Sequence, residues 1–192
     1  MSLFHFGDDP GIAVFVPRTL RVAVDRGPDR AWLNGPLVWA TDSRHGLLYL
    51  SPRECPRTVI WPTDTTSPED RDAWFGGRSC RAIAFIEDDW RDRLRAAVLY
   101  RYALPACGFE DIDAVGMWVS RRAVVPSGLD VPDDLPGALD DEAVELRSLP
   151  RLTPLRSIRQ TTLHASRIRT RNAQDGEPAG WSHSKPGRTV VA

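Results

Sequence analysis

The stretch over residues 36–61 constrains the fold most strongly, because short apolar runs alternate there with residues that start or end helices. Residues 37–40 are apolar and predict a strand, while residues 41–43 are short polar residues of the kind that begin helices. The two prolines that follow end any helix, since proline has no backbone N–H donor. Residues 59–61 are β-branched and aromatic, which favours a strand. We therefore expect a strand, a short helix and a second strand.

This arrangement would bring five side chains together at one strand end, and we predict a ligand site there. The five are Trp39, Thr41, His45, Tyr49 and Arg53. Neither His45 nor His164 has a second histidine three or four residues away, so no zinc site is expected.

Beyond this stretch the apolar runs are short, and more of them predict strands than helices. Strands are predicted at residues 3–6, 81–87, 98–104 and 144–147, and residues 115–120 and 123–125 predict two further strands or one bent strand. Helices are predicted at residues 67–75, 88–97, 133–142 and 155–160. The run over residues 163–171 fits a strand or a helix, and residues 18–35 show no periodicity and predict a loop. Strands that are not separated by regular helices argue against a doubly wound parallel sheet.

The sequence therefore predicts an α+β fold with mixed or antiparallel sheets and short helices. No linker-like stretch interrupts the apolar segments before residue 172, so we expect a single globular domain over residues 1–172. Residues 173–192 are rich in Gly, Pro, Ser, Asp and Gln and have no apolar periodicity. Such a segment cannot bury enough apolar surface to offset the ordering of its backbone, and we predict a disordered tail.

The charge and the cysteine content exclude several classes of protein. The net charge is −1, so no global field favours nucleic acid or an anionic membrane. Three widely spaced cysteines without a CxxC pair are typical of reduced thiols. The sequence shows no signal-peptide pattern and no apolar run of the roughly 18 residues that span a bilayer. We expect a soluble, cytoplasmic protein that does not enter a membrane.

Arginine supplies every Lys/Arg position except Lys185. A coding bias towards arginine would explain this, and so would bidentate binding of phosphate or carboxylate groups. The sequence has no Walker A loop, dinucleotide-binding glycine motif, nucleophile elbow or HExxH motif, so a phosphate would depend on guanidinium groups. We hypothesise that Arg53, with Arg18 or Arg57, binds the phosphates of a dinucleotide. The alternative is a surface ion pair between Arg53 and Glu54.

His5 and Tyr49 each have a structural and a functional interpretation. His5 alternates with Phe4 and Phe6 along the first strand, so its side chain lies on the opposite face from theirs. It would be either a hydrogen-bonded structural residue or a donor to a ligand hydroxyl. Tyr49 would be either part of the core or a platform on which a ring stacks.

Four stretches resemble an uncharacterised bacterial family of unknown function. They are LFHFGDDPGIAVFVPR, PLVWATDSRHGLLYLSPRECPR, LYRYALP and LHASRIRTRNA. The resemblance covers residues 3–173, which is nearly all of the chain, and it implies no established activity.

A second resemblance is to ADP-ribosyltransferases of the His-Tyr-Glu type. It rests on a first strand that carries His5, a strand that reads VWAT and a helix that ends near Tyr49. The resemblance implies a split-sheet fold and NAD as the substrate. His5 would hold the ribose or amide end of NAD, Trp39 would take the aromatic position of the second strand, and Tyr49 would stack on nicotinamide. Thr41 would line the same cofactor site, and His5, Trp39 and Tyr49 should then lie in one cleft.

In that family a glutamate on a later strand orients the ribose hydroxyl, and here Arg122 stands where the acid is expected. Glu145 is our candidate for the catalytic carboxylate, and Glu87 is the alternative. Three hypotheses follow. The chain is an ADP-ribosyltransferase that modifies an acceptor, or a catalytically silent domain of the same fold that binds a nucleotide, a small molecule or a partner protein, or a structural or interaction domain.

Overall fold

The fold is α+β, as the strand-rich pattern predicts, and it contains two sheets with a few short helices. The computed structural model describes residues 2–20 and 25–175. The chain divides into two compact units, each made of two chain segments. Unit 1 comprises Met1–Tyr49 and Leu99–Pro132, and unit 2 comprises Leu50–Val98 and Asp133–Ala192. That residues 1–172 form a single domain stays a prediction.

Unit 1 contains a six-stranded sheet in which every neighbouring pair of strands is antiparallel. Its strands, numbered along the whole chain, are β1 (Leu3–Gly7), β2 (Val38–Asp42), β5 (Tyr100–Leu104), β6 (Glu110–Asp111), β7 (Met117–Ser120) and β8 (Gly128–Asp130). The spatial order is β6-β7-β2-β1-β5-β8. The first predicted strand is therefore a central strand, paired on both sides.

Side chains alternate between the two faces of this sheet, and each face has its own apolar cluster. We call the face of the sheet that carries the Leu3 side chain the Leu3 face. Its buried cluster consists of Leu3, Phe15, Val38, Ala40, Tyr102, Leu104 and Val124. The cluster on the other face consists of Leu33, Leu37, Ile112 and Val119. Unit 1 thus buries apolar side chains on both sides of its sheet.

Two segments of unit 1 differ from the sequence prediction. Residues 18–35 are predicted as a loop, but Pro28–Asn34 forms a 3₁₀ helix whose Leu33 side chain is 1% exposed. The prediction is wrong because one buried leucine holds the turn, and a single apolar residue produces no periodicity. Residues 123–125 are predicted as a strand, but Val124 forms only an isolated bridge with Phe15.

Unit 2 contains a four-stranded mixed sheet. Its strands are β3 (Arg57–Trp61), β4 (Ala82–Glu87), β9 (Val144–Leu149) and β10 (His164–Ile168). They lie in the order β10-β3-β4-β9, with β4 and β9 parallel and the other pairs antiparallel. All six residues of β4 are buried, as expected of a continuous apolar run in a central strand. The run over residues 163–171, for which strand and helix were both open, contains a strand.

Within the described residues the α-helices are α1 (Pro68–Phe75), α2 (Arg91–Ala96) and α3 (Leu135–Asp141), which lie in unit 2. Helix α1 begins as the sequence predicts, because the Ser67 hydroxyl accepts the Asp70 N–H at 3.2 Å. It ends at Gly76, which has a left-handed backbone with φ of 53°. Further 3₁₀ helices are Gly46–Tyr49, Asp88–Trp90, Thr153–Gln160 and Thr170–Asn172.

The core of unit 2 lies between its sheet, α1 and the 3₁₀ helix Thr153–Gln160. The buried cluster consists of Ile60, Trp74, Phe75, Ile83, Phe85, Leu149, Leu152, Leu155, Ile158 and Leu163. These residues come from five separate elements and from the loops that follow β9 and precede β10. The helix pattern predicted near residues 155–160 is therefore confirmed in position, although its hydrogen bonding is 3₁₀ rather than α.

The first three residues of the predicted tail, 173–175, belong to the part of the chain that the structure describes. The backbone N–H of Gln174 donates to both carboxylate oxygens of Glu87, at 3.1 and 3.2 Å. Glu87 is 1% exposed and also accepts the N–H of Leu152 at 3.3 Å. Residues 173–175 therefore contribute to unit 2, and the rest of the predicted tail lies outside the described residues.

Candidate functional site

One face of the unit 1 sheet carries three of the predicted site residues. The rings of Phe6 and Tyr49 stack with centroids 5.8 Å apart and planes 19° apart. The Tyr49 hydroxyl donates to Met117 Sδ at 2.9 Å. Phe6 lies opposite Trp39 in the continuing β1–β2 register, and Thr41 lies opposite Met117. We call this side of the sheet, which carries Phe6, Trp39, Thr41, Tyr49 and Met117, the Tyr49 face.

Two buried polar atoms on the Tyr49 face have no hydrogen-bond partner within residues 2–20 and 25–175. They are the Thr41 hydroxyl and the indole N–H of Trp39. Thr41 is 3% exposed, so solvent does not satisfy its hydroxyl. A buried polar group without a partner costs about 1–3 kcal/mol, and such groups in native proteins need a reason. These two atoms therefore mark a place where a polar ligand would gain hydrogen bonds.

A fixed imidazole lies at the end of β2. His45 Nδ1 lies 2.8 and 3.0 Å from the two carboxylate oxygens of Asp42, and the His45 backbone N–H donates to the same carboxylate at 2.8 Å. An ionised carboxylate can only accept, so neutral His45 carries its proton on Nδ1. Gly116, with φ of 68°, lies against this imidazole, and a Cβ there would collide with it. Asp42 and Gly116 therefore hold the His45 imidazole in place.

The predicted convergence of His5 with Trp39 and Tyr49 is wrong. His5 lies on the Leu3 face: its ring contacts Phe15 at a centroid distance of 4.8 Å, and Nδ1 lies 2.9 Å from the Trp39 carbonyl oxygen. Phe6, the next residue on β1, carries the stack with Tyr49 on the other face. Strand alternation therefore separates His5 from the tyrosine. The same alternation identifies Phe6, which the sequence analysis did not include in the site.

The three arginines of the predicted phosphate site are divided between the two units, and their joint binding of a dinucleotide stays a prediction. Arg57 is 4% exposed, and its guanidinium donates to the Cys55 carbonyl oxygen at 3.1 Å. Arg53 is exposed on unit 2. The hydrogen bond from Asn172 is the main cause that lowers the pKa of Glu54, and the charge of Arg53 makes a smaller contribution in the same direction. Arg169 forms an ion pair with Glu54 at 3.6 Å, and the pairing of Arg53 with Glu54 stays a prediction. Arg18 bonds through its backbone to Leu37 in unit 1.

The candidate catalytic carboxylate, Glu145, is neutralised by two arginines in unit 2. Arg147 binds it through two hydrogen bonds of 2.9 and 3.1 Å, and Arg78 donates to both of its oxygens. Burial raises the pKa of Glu145, but the hydrogen bonds from Arg147 and Arg78 outweigh burial and hold it below its ordinary value. The alternative, Glu87, is buried and holds backbone N–H groups. Both acids thus have structural partners.

A surface pocket of about 260 Å³ lies beside the Arg78–Glu145 pair in unit 2, and the sequence analysis did not predict it. Phe75, Arg71 and Cys80 contribute to its walls. Burial, and then the charge of Glu145, raises the pKa of the Cys80 thiol, so this thiol is a weak nucleophile. Four of its lining residues, Pro68, Arg71, Asp72 and Phe75, follow one side of helix α1 at helical spacing, and the others lie in the loops next to it.

The part of the chain that the structure describes contains neither a metal-binding cluster nor a membrane-spanning helix. No cluster of three or more His, Cys, Asp or Glu side chains is placed to hold a metal ion there. Among the same residues no helix combines the length and the apolar character needed to cross a bilayer.

The chain matches a family of unknown function (DUF6886) over residues 4–173. No curated protein and no solved structure matches it. Because the match covers most of the sequence, the chain belongs to this family, and the resemblance to an uncharacterised family is confirmed. The resemblance to ADP-ribosyltransferases stays a prediction.

Proposed function

We propose that this member of the family binds the nicotinamide ring of NAD, or a closely related aromatic amide, on the Tyr49 face. The observation that carries the proposal is the pair of buried, unpartnered polar atoms on Trp39 and Thr41, beside the stacked ring of Tyr49. Along a strand the two residues are about 7 Å apart and point the same way. A flat ligand with polar groups at one edge fits such a surface.

The chemistry of a carboxamide matches the two unpartnered atoms. Its oxygen can accept the indole N–H of Trp39, and its NH₂ group can donate to the Thr41 hydroxyl. The aromatic ring of the amide would extend the stack already formed by Tyr49 and Phe6. Nicotinic acid lacks the NH₂ donor and would leave the threonine acceptor unpartnered, so the site should prefer the amide.

Binding is favoured over transfer chemistry because His5 and Glu145 are each held by other contacts within their own unit. His5 lies on the Leu3 face, and Glu145 is neutralised by Arg78 and Arg147. A carboxylate already balanced by two guanidinium groups stabilises a developing positive charge poorly. The function best supported is therefore that of a nucleotide-binding domain without transferase activity.

The decisive experiment is isothermal titration of the full chain with nicotinamide, NAD and nicotinic acid. Thr41→Val keeps the shape of the side chain and removes only the hydroxyl, so affinity for nicotinamide should fall about tenfold, as expected for one lost hydrogen bond. The unliganded variant should be as stable as the parent or more stable, because a buried unpartnered hydroxyl has been removed.

Thr58→Val is the matched control for this titration. Thr58 is also buried, with an unpartnered hydroxyl, but it lies in unit 2 on β3. Its replacement should leave nicotinamide affinity unchanged, and His5→Ala should lower stability without changing that affinity. The proposal fails if neither nicotinamide nor NAD gives heat at millimolar concentration, or if Thr41→Val and the parent bind nicotinamide equally.

A further inference from the structure

Three arginines of unit 2 are grouped without an acidic partner. Arg156 and Arg159 are both exposed and lie three residues apart on the 3₁₀ helix Thr153–Gln160. Side chains three residues apart lie above one another in a 3₁₀ helix, so the two guanidinium groups share one side. Arg167 lies on β10. Within the described ranges of the chain, none of these three side chains forms an ion pair or a hydrogen bond.

Packing brings the helix and β10 together. Leu155 and Ile158 of the helix belong to the same buried cluster as Ile60 of β3, and Ala165 of β10 packs against that cluster. Arg167 is two residues beyond Ala165, so both side chains point to the face of the sheet that the helix covers. Burial, and then the charges of Arg159 and Arg156, lowers the pKa of Arg167. The fold therefore holds three like charges near one another.

An unpartnered hydroxyl lies beside this group. Thr58 is the cross-strand neighbour of Arg167 on β3, and paired residues on adjacent strands point to the same face. Its hydroxyl is buried and has no hydrogen-bond partner among the described residues, and the residue is 1% exposed. The Thr58 hydroxyl can donate a hydrogen bond, and the guanidinium groups of the three arginines can only donate. A ligand with negatively charged oxygen atoms would accept hydrogen bonds from both.

We propose that Arg156, Arg159 and Arg167 bind a phosphate dianion carried by a small phosphorylated molecule. Phosphate offers several oxygens and about two negative charges, which suit guanidinium forks better than a single carboxylate does. The net charge of −1 provides no field that would attract a long nucleic acid, so a small ligand is the better match. The site lies in unit 2 and is independent of the nicotinamide proposal for unit 1.

The test is a titration of the full chain with pyrophosphate at low ionic strength, in the absence of nicotinamide. Arg167→Gln should weaken binding about tenfold to a hundredfold, because a charge-assisted hydrogen bond is lost. The double variant Arg156→Gln/Arg159→Gln removes only exposed charges, so it keeps the test valid should Arg167→Gln not fold. Arg71→Gln is the matched control, since it removes an exposed arginine from the pocket wall in the same unit.

Thermal unfolding supplies a second readout. Without ligand, Arg167→Gln should raise the melting temperature, because it relieves both the repulsion and the burial of a charge. Pyrophosphate should raise the melting temperature of the parent and of Arg71→Gln and leave that of the double variant unchanged.

Titrations with different phosphate compounds distinguish which kind of molecule carries the phosphate group. A nucleoside diphosphate that binds more tightly than pyrophosphate would assign the site to a nucleotide, and equal affinity would assign it to the phosphate group alone. The proposal is overturned if pyrophosphate gives no heat at millimolar concentration, even where a single-stranded RNA does bind. It is also overturned if the double variant binds pyrophosphate as well as the parent, or if Arg71→Gln is the variant that loses binding.

Discussion

At the scale of single residues, the three cysteines have different environments and therefore different reactivity. Cys107 is exposed, Cys80 is half-buried and Cys55 is buried. All three are free thiols, as their spacing predicts. Burial raises the pKa of Cys55 to about 12. The charge of Arg57 lowers this pKa and the charge of Glu87 raises it, both by less than burial does. Cys55 is therefore a core residue and not a nucleophile.

We expect a thiol reagent such as DTNB to modify one cysteine of the native protein rapidly at pH 8. That cysteine is Cys107, since the thiolate is the reactive form and only about one in ten thousand Cys55 thiols would be ionised at that pH. Cys80 should react slowly, and Cys55 only after unfolding. Cys107→Ser should remove the rapid phase. Rapid modification of two thiols in the native state would show that this order of environments is wrong.

Residue identity also explains which part of the site could be read from the sequence. Trp39, Thr41 and Tyr49 lie on one face because strand alternation and a short helix are local properties, and the sequence showed both. His5 was assigned to the same cleft by resemblance, although its alternation with Phe6 already placed the two on opposite faces. The arginine group of unit 2 depends on how the 3₁₀ helix Thr153–Gln160 packs against the strand that follows it, β10, and no periodicity in the sequence shows that packing.

At the scale of elements, helix α1 shows how strongly a local signal can specify structure. At the start of α1 the Ser67 side chain accepts a backbone N–H, and Pro68 has no N–H that would need a partner. At its end the N–H of Gly76 pairs with the carbonyl oxygen of Asp72. Its start and end were therefore predictable. The helix Thr153–Gln160 was located by its apolar residues, but its 3₁₀ hydrogen bonding depends on tertiary packing. Strands β6 and β8 are short and exposed, and they have no apolar signal.

The α1 cap provides a test at this scale. Ser67→Ala should lower the free energy of unfolding by about 1 kcal/mol, because the Asp70 N–H loses its acceptor. Ser67→Asp should restore most of that stability, since aspartate is an equally good cap. Ser79→Ala, at an exposed position outside any helix, is the control and should change little. Urea unfolding measures all three, and equal values for Ser67→Ala and Ser79→Ala would contradict the capping role.

At the scale of the whole molecule, the last described residues are joined to the core by a backbone donor. The N–H of Gln174 meets the buried carboxylate of Glu87, while its side-chain amide donates to exposed Asp89. A proline at this position would remove both the N–H and the side-chain amide, whereas an alanine would remove the amide alone. Ala173 is already extended, with φ of −68° and ψ of 148°, which is the conformation that precedes proline without strain.

Gln174→Pro should therefore lower the free energy of unfolding by about 1–3 kcal/mol, the cost of leaving a buried acceptor underpaired. Gln174→Ala keeps the backbone donor and loses only the exposed side-chain bond, so it should cost much less. Thermal unfolding of the two variants separates the backbone contribution from the side-chain contribution. If Gln174→Pro lowers the free energy of unfolding no more than Gln174→Ala does, the bond between the Gln174 N–H and Glu87 does not stabilise unit 2.

The interleaving of the two units has a consequence for synthesis on the ribosome. Leu3 pairs with Leu104, and Ala82 pairs with Val144, so each sheet has a partner strand that is translated much later. At a translation rate of about 5–20 residues per second, β1 would wait roughly 5–20 s for β5. During that interval the apolar edges of both nascent sheets would be exposed to chaperones. Slow codons between β2 and β5 would lengthen this exposure, so codon choice there should affect the yield of folded protein.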